Sequence, residues 1–556
     1  MIDRQSTIDG PTGRTSFRLG AITSAWRFRL VFMLICAGAG LVSVMLGTDN
    51  YWDLRYYHLY APWAYLHDRY LYDIGPAQEQ SFYNPVADLL FYGLISSPLN
   101  EAPRVVAFIM GAVHGINAAL LFGIVREVVR PVEAVERMTL RAAAWLMGVS
   151  GAGFISLLGT ATNDLTSALF VLASLYGLVR IAGHQDGDSP WRGFAAAGFC
   201  AGLGIGLKFT SAPFAPGLGA AVLLAAFRRR TVAGVVAYGG AAAVAFFAVA
   251  GHHMFTLWRD FGNPTFPFLN QIFHSPYFEP IAIRDDRFIP ANLWQLITFP
   301  FRWTIAAPYI VVEPPIRDWR AAIAWVAAAA ALLALARGHL RGRRRATGAS
   351  APSSGFSLIV TFAAVSYFSW ALGFGIYRYA VPLEMLTGVV IVGALTVIFE
   401  QRRFRIVAAL AALAIAASTT VYMDWSRIGH GPSRLAYGDR YVDVEVPPLP
   451  DNGIVLIATW DPVAFFVPYG NPAVQYLSIE NNYLELSQNN KFATEVKRLM
   501  REPGRPKYVL NVDAFNPEKL NALLAHFGLK LSTSPCAPIR TNLIGHDLSL
   551  CPVASD

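Results

Sequence analysis

Charge is scarce in this chain of 556 residues. Asp, Glu, Lys and Arg make up 15% of it, where a soluble globular chain carries about 25%. The shortfall excludes the string of ordinary soluble domains that length alone would suggest. No glycine-rich phosphate loop follows a strand pattern, so nothing points to nucleotide binding. The net charge of +8 does not point to nucleic acid either, because the basic residues stand in short clusters between apolar runs. Cysteine is limited to four residues. Cys36 and Cys200 lie in apolar runs. Cys536 and Cys551 lie in the polar C-terminal segment, where a disulfide fits a non-cytoplasmic compartment and two free thiols remain the alternative. No A-x-A-like exit follows the first apolar run, near Phe28, which therefore reads as a retained helix.

Apolar residues make up 54% of the chain, and mean hydropathy is +0.40. A helix crosses a bilayer in about 20 apolar residues. Near-spanning runs fall at 28–47, 104–125, 142–160, 165–183, 193–211, 213–227, 232–253, 319–336, 355–374, 380–399 and 405–423. The basic clusters test the phase of this count. Arg14, Arg18, Arg27 and Arg29 precede the first run, and Arg126, Arg130, Arg137 and Arg141 follow the second. Arg180 and Arg192 bracket the fourth and fifth, and Arg228–Arg230 follow the sixth. Arg337, Arg341 and Arg343–Arg345 follow the eighth, and Arg402, Arg403 and Arg405 the tenth. All fall on one side, which the positive-inside rule makes cytoplasmic.

The expected fold is an α-helical polytopic membrane protein of about eleven transmembrane helices with a small C-terminal exoplasmic α/β domain. Residues 1–27 form a cytoplasmic tail and 28–423 a bundle with exoplasmic loops at 48–103 and 254–318. Residues 424–556 form the exoplasmic domain, in a bacterial-type inner membrane. Tyr56, Tyr60 and Trp63 recur at helical spacing, which suits helices lying in the membrane interface. Beyond residue 440, strand patterns at 453–460, 473–479, 507–513 and 529–533 alternate with amphipathic helices at 492–502 and 517–527.

Carboxylates at the membrane surface carry the chemistry. Asp49 and Asp53 directly follow the first helix, and Asp164 follows Asn163 in the turn after the third. The topology puts both loops on one side, so these groups can converge. Asp164 is equally well placed as a helix cap. Asp53 opens a helical stretch with Tyr57 and Tyr60 at i+4 and i+7. An apolar, aromatic setting is expected to raise its pKa, which suits a general base acting on a hydroxyl.

Asp53-Leu54-Arg55-Tyr56-Tyr57, Ala61, Leu71-Tyr72-Asp73 and Phe82-Tyr83-Asn84-Pro85 resemble the first exoplasmic loop of GT-C glycosyltransferases. They are most similar to the polyprenol-phosphate-mannose-dependent, GT87-like branch. That branch shows Tyr-Pro-Pro where this chain has Tyr83-Asn84-Pro85. Asp53, Asp164, Lys208 in Gly206-Leu207-Lys208-Phe209-Thr210, and Arg378 in Tyr377-Arg378-Tyr379 occupy positions that match family features. The resemblance implies a membrane glycosyltransferase using a polyprenyl-phosphate sugar and a hydroxyl acceptor on a glycolipid, lipopolysaccharide or other glycan. It makes Asp53 the base, with Asp49 or Asp164 as a second polar contact. Arg378 and Lys208 are cations for the donor phosphate, which Arg grips with two nitrogens and Lys as a point charge. Interfacial anchoring is the plainer reading of both.

His252 and His253 end the seventh helix on the same side and can reach the phosphate or acceptor. A dipole partnership at a helix end explains them as well. They lack the spaced carboxylate or Cys partner of a zinc site, and no metal or other cofactor is indicated. Tyr56, Tyr57, Tyr60, Tyr83, Asn84, Asn163 and Tyr377 are expected to line the substrate. Two other readings stand beside this one. An oligosaccharide polymerase or ligase would use a pyrophosphate-linked donor and late-loop Arg and His, for which His252, Arg259 and Arg284 are available. A transporter or flippase would show inverted repeats and charges inside its helices.

Overall fold

The computed structural model describes residues 12–183, 190–340, 353–423, 427, 437–479, 481, 484–485, 487–543 and 545–555. Arg341, Arg343–Arg345 and the expected domain boundary near 424 lie outside them. The long helices are α1 (Thr12–Leu46), α4 (Pro103–Val128), α5 (Ala134–Val149), α7 (Asp164–Gly183), α8 (Pro190–Leu207), α9 (Phe214–Arg229), α10 (Val232–Phe261), α13 (Arg320–Leu340), α14 (Ser354–Gly373), α15 (Val381–Ile398) and α16 (Arg402–Thr419). Short helices α2 (Tyr60–Leu66), α3 (Leu89–Ile95), α6 (Ala152–Leu157), α11 (Asn270–Phe273) and α12 (Leu293–Arg302) fill the connections. Helix therefore occupies all eleven expected runs, and seven of these helices are long and apolar enough to cross a membrane. Large apolar side chains such as Met33, Leu34 and Leu41 on α1 and Val236, Val244 and Phe247 on α10 are exposed on the bundle, as lipid contact requires. α1 begins at Thr12, inside the stretch expected to be tail.

Two runs depart from the expectation of a single helix. In 193–211, α8 ends at Leu207 before a 3-10 turn at Phe209–Ser211. Residues 142–160 divide into α5 and α6 at Ser150-Gly151. The first N–H groups of α6 have no partner within the helix. Glu384 of α15 takes those of Gly153 and Phe154, at 2.9 and 3.3 Å. Elsewhere the bundle packs through small residues. Gly198 and Gly202 of α8 face the α10 backbone so closely that a Cβ would collide with Tyr238 and Ala242. This is the close approach that glycines at four-residue spacing permit between membrane helices.

The C-terminal domain is a seven-stranded mixed sheet. Its strands are β1 (Val444–Glu445), β2 (Ile454–Ile457), β3 (Gln475–Ser478), β4 (Lys507–Val512), β5 (Leu529–Leu531), β6 (Ala537–Thr541) and β7 (Leu548–Ser555). β2 pairs in parallel with β3 and β4, and β7 runs antiparallel to β4. The four expected strands and both expected helices, α17 (Lys491–Arg501) and α18 (Pro517–Ala525), are present. The period-two alternation of a strand gives the sheet two apolar faces. Ile454 and Leu456 pack with Phe492, Val496, Leu499 and Leu524 of α17 and α18. Val455 and Ile457 join the main core, which contains Phe465 and Phe466 together with Tyr56, Tyr57, Tyr60 and Trp63. Cys536 and Cys551 form the disulfide.

The aromatic stripe of the first loop is therefore not laid on the membrane surface. Tyr56, Tyr60 and Trp63 are buried between the bundle and the sheet, because a second apolar face was available to cover them. The loop also extends the sheet. Ile74 bridges β3 in parallel register with Leu477, with Ile74 N–H donating to Tyr476 O at 2.9 Å. Asp73 is gripped by Arg69 through Nε at 2.9 Å and Nη2 at 2.7 Å, while Tyr476 N–H donates to it at 3.0 Å. The same guanidinium donates to the carbonyls of Pro472 and Val474. Burial raises the Asp73 carboxyl to about 6 against the opposing pull of Arg69. Arg69→Ala is expected to destabilise this junction by about 3–5 kcal/mol, because it leaves a buried carboxylate unpaired. Faster hydrogen exchange confined to β3 and residues 69–78 is the reading that checks it.

Candidate active site

The chain between α1 and α2 is a short, buried and aromatic stretch. Gly47 adopts φ +91° and releases the chain from α1. Asp49 then ties the turn to the third connection. Its Oδ2 accepts from Ala161 N–H at 2.7 Å and its Oδ1 from Tyr51 N–H at 2.9 Å. Burial raises its pKa, opposed by Arg427. Both oxygens are thus engaged by backbone, which makes Asp49 an organiser of the loop.

Asp53 stands at the start of a π-turn, Leu54–His58. Its Oδ2 receives Arg378 Nη1 at 2.6 Å, although the two residues lie 325 positions apart. Nη1 also donates to the Tyr51 hydroxyl at 2.5 Å, and Nη2 to the Tyr379 hydroxyl at 3.2 Å. Both charged side chains are almost fully enclosed, at 12% and 11% exposure. The expectation of a raised Asp53 pKa is corrected. Burial pushes it up, but Arg378, with His58 and Lys208 behind it, holds the carboxyl below its ordinary value. An apolar loop read alone contains no hint of a cation arriving from residue 378.

A second pair stands beside the first. Lys208 Nζ lies 2.7 Å from Asp164 Oδ1 and 2.5 Å from Thr162 O. Asp164 Oδ2 is buried without a hydrogen-bond partner. The Tyr379 ring lies between the two cations, 5.0 Å from the Arg378 guanidinium carbon and 5.5 Å from Lys208 Nζ. Tyr57, Tyr83 and Phe268 form an aromatic wall, with centroids 5.2 and 5.7 Å apart along it. Burial pushes the Tyr57 and Tyr83 hydroxyls well above their ordinary pKa, with Asp53 adding to the shift. They therefore act as neutral hydrogen-bonding groups.

The remaining expected residues divide. Asn163 has φ +60° and aims its amide at Asp88. Tyr56 is buried near Glu79, Tyr83 and Asp53, which all act on its hydroxyl after burial itself. Five residues are structural instead. Asn84 donates to the carbonyls of Gly206 and Val249, at 2.7 and 3.1 Å, and so staples α8 to α10. Tyr60 turns to Asp73 at 3.4 Å. Tyr377 donates to Asp318 at 2.9 Å, beneath the site rather than in it. His252 pairs with the Tyr65 hydroxyl at 2.7 Å, while His253 sits between Phe82 O and Tyr70. The histidines thus close an aromatic cluster with Tyr65 and Tyr70. The structure adds Tyr51, Tyr379, His58 and Asp88, which the sequence reading passed over. Tyr51 and Tyr379 stand within two residues of Asp53 and Arg378, and that adjacency was the available signal.

Two carboxylate–cation pairs around a tyrosine, at the end of a membrane bundle, can bind an anionic group and accept a proton. No group of three or more His, Cys, Asp or Glu among the described residues can hold a metal. Residues 90–255 match a family model described as dolichyl-phosphate-mannose-protein mannosyltransferase. The match spans α3 to α10, less than half of the chain, and bears out the resemblance to GT-C membrane glycosyltransferases. Among the solved structures that resemble the chain are those of the Archaeoglobus fulgidus oligosaccharyltransferase. Its apo form aligns at TM-score 0.43 and 12% identity, over 86% of this chain and 69% of that one. Its complex with zinc and sulfate aligns at 0.41 and 14%, over 86% and 67%. The form tethered to an acceptor peptide aligns at 0.41 and 13%, over 88% and 70%. No curated protein matches the chain in sequence.

The ion pair has a signature in pH. With Arg378 present, the lowered Asp53 pKa contributes stability above its unfolded value of 3.8, lost as pH falls through the lower folded value. Arg378→Gln removes that contribution and leaves a buried, unpaired carboxylate. Its stability deficit is expected to be largest near pH 7, about 3–5 kcal/mol, and to shrink as pH falls through the lowered folded value of Asp53, where the wild type loses the same contribution. A thermal-unfolding series in detergent across that range checks it.

Proposed function

We propose that this chain transfers a sugar from a polyprenyl-phosphate donor to a hydroxyl of a glycan or glycolipid acceptor, with inversion at the anomeric carbon. The observation that carries the reading is the buried Asp53–Arg378 pair, set beside Asp164–Lys208. A base that must ionise and a cation that must bind phosphate are stored against each other. The family model matched at 90–255 is named for a dolichyl-phosphate-mannose enzyme, which supports a lipid-monophosphate donor.

The arriving phosphate competes with Asp53 for the Arg378 guanidinium, and phosphate satisfies its fork geometry as well as a carboxylate does. Once Arg378 turns to the donor, the largest influence lowering Asp53 is gone and burial dominates. Asp53 becomes a stronger base once the donor is bound. It takes the hydroxyl proton as the acceptor oxygen bonds to the anomeric carbon. The bond from that carbon to the phosphate oxygen breaks, and the lipid phosphate leaves with the electron pair. Arg378 and Lys208 stabilise the charge that builds on it. A single displacement from the opposite face inverts the centre.

The basic clusters support a site on the non-cytoplasmic side of the membrane, which we take as a bacterial-type inner membrane with the C-terminal domain on that side. The polymerase or ligase reading loses its residues. Arg259 pairs with Asp260 at 2.6 Å, Arg284 donates to backbone at Leu372 and Gly373, and His252 is held by Tyr65. None of these contacts belongs to the ion-pair site.

The test is a screen of radiolabelled polyprenyl-phosphate sugars with the full-length protein in lipid nanodiscs. The wild type is expected to transfer from at least one donor. Asp53→Asn is expected to lower transfer about 10²–10⁴-fold, the scale of a lost general base, with Tm measured alongside. Undiminished transfer by Asp53→Asn sinks the assignment.

A further inference from the structure

A buried imidazole beside the site has no task in that reaction. His58 ends the π-turn, and its Nδ1 lies 2.5 Å from Asp88 Oδ1. The Asn163 amide donates to the same Asp88 oxygen. His58 is 1% exposed, and its Nε2 is buried with no hydrogen-bond partner. A buried polar atom left unsatisfied is costly, and such atoms mark places that fill during function. With Asp88 accepting the Nδ1 proton, Nε2 carries the lone pair.

The local backbone explains why this histidine meets Asp53. In an α-helix, residues three or four apart share a face, and a residue five positions on turns away. The i→i+5 bonding of a π-turn brings residues five apart into line, and such turns gather at functional sites. Asp53 and His58 are that pair. His58 lies close enough for its charge to act on the carboxyls of both Asp53 and Asp49.

We infer that the His58–Asp88 dyad is the proton sink of the site, with Nε2 taking from Asp53 the proton that Asp53 removes from the acceptor. This rests on the glycosyl-transfer reading above. The Asp53 O–H bond breaks, the Nε2–H bond forms, and Asp53 returns to the carboxylate that re-forms its pair with Arg378. The imidazolium is held by Asp88, with Asp49 and Asp53 nearby, until its proton leaves to solvent. Asn163 fixes Asp88, as an orienting carboxylate must itself be fixed. Other groups around the π-turn are Tyr57, whose ring stacks at 4.1 Å, Arg378 and Lys208 beyond Asp53, Glu79 in the 3-10 turn Gln78–Phe82, and Tyr469 in the turn Ala464–Tyr469. His58 acts through Asp53 and need not touch substrate.

The experiment is the pH profile of kcat for the full chain in nanodiscs, with the donor that the wild type uses. Only neutral His58 can accept, so the acid limb of the wild type follows its protonation. His58→Gln is expected to lower kcat about 100-fold with the donor KM unchanged, and to move the acid limb to lower pH. Asp88→Asn, which weakens the hold on the imidazolium, moves the same limb in the same direction and serves if His58→Gln does not fold. In His58→Ala, added imidazole is expected to restore part of kcat. A His58→Gln or Asp88→Asn profile that is a scaled copy of the wild type, without imidazole rescue, overturns the inference. Undiminished transfer by Asp53→Asn would overturn the underlying reading instead.

Discussion

A guanidinium at position 378 and a carboxylate at position 53 meet at 2.6 Å inside a nearly closed site. Much of the surrounding structure serves to keep them there. Two enclosed charges are costly to remove from water, and only close, well-hydrogen-bonded pairing offsets the cost. Tyr51 and Tyr379 supply the further bonds to Arg378. Asp49 pins the loop carrying Asp53 to Ala161. The C-terminal sheet covers the loop with Val455, Ile457, Phe465 and Phe466. The C-terminal domain thus packs against the loop that carries Asp53.

The two cations differ in how they are held. Lys208 is tied to Asp164 and to a backbone carbonyl, while Arg378 shares one nitrogen between Asp53 and Tyr51. A planar fork can turn one edge to a new anion while keeping a contact with its neighbours. Arg378 is therefore the group suited to change partners, and Lys208 the fixed point charge.

Much of this was legible from residue order. Hydropathy located helix in all eleven runs, and the phase of the arginines put Asp53, Asp164 and Arg378 in loops, and Lys208 at a helix end, on the one side where the structure brings them together. The compartment argument found the Cys536–Cys551 disulfide. Features set by long-range pairing were hidden. β6 and β7 are short or contain proline, as at Pro538 and Pro552, and exist as strands because they pair with each other and with β4. The sign of the Asp53 shift depends on a residue 325 positions away. Tyr377 and Asn84 carry the same chemistry as lining residues, yet Asp318 and two helix backbones claim them. His58 escaped notice because α-helical spacing turns it from Asp53, and only the π-turn returns it.

The central claim is an exchange of partners at Arg378, and it is tested most directly by a structure with a non-transferable polyprenyl-phosphate sugar bound. The account predicts the phosphate on Arg378 and Lys208, with Asp53 released and facing the anomeric carbon from the opposite side. A bound phosphate lying elsewhere, with the 2.6 Å Asp53–Arg378 contact intact, would contradict it.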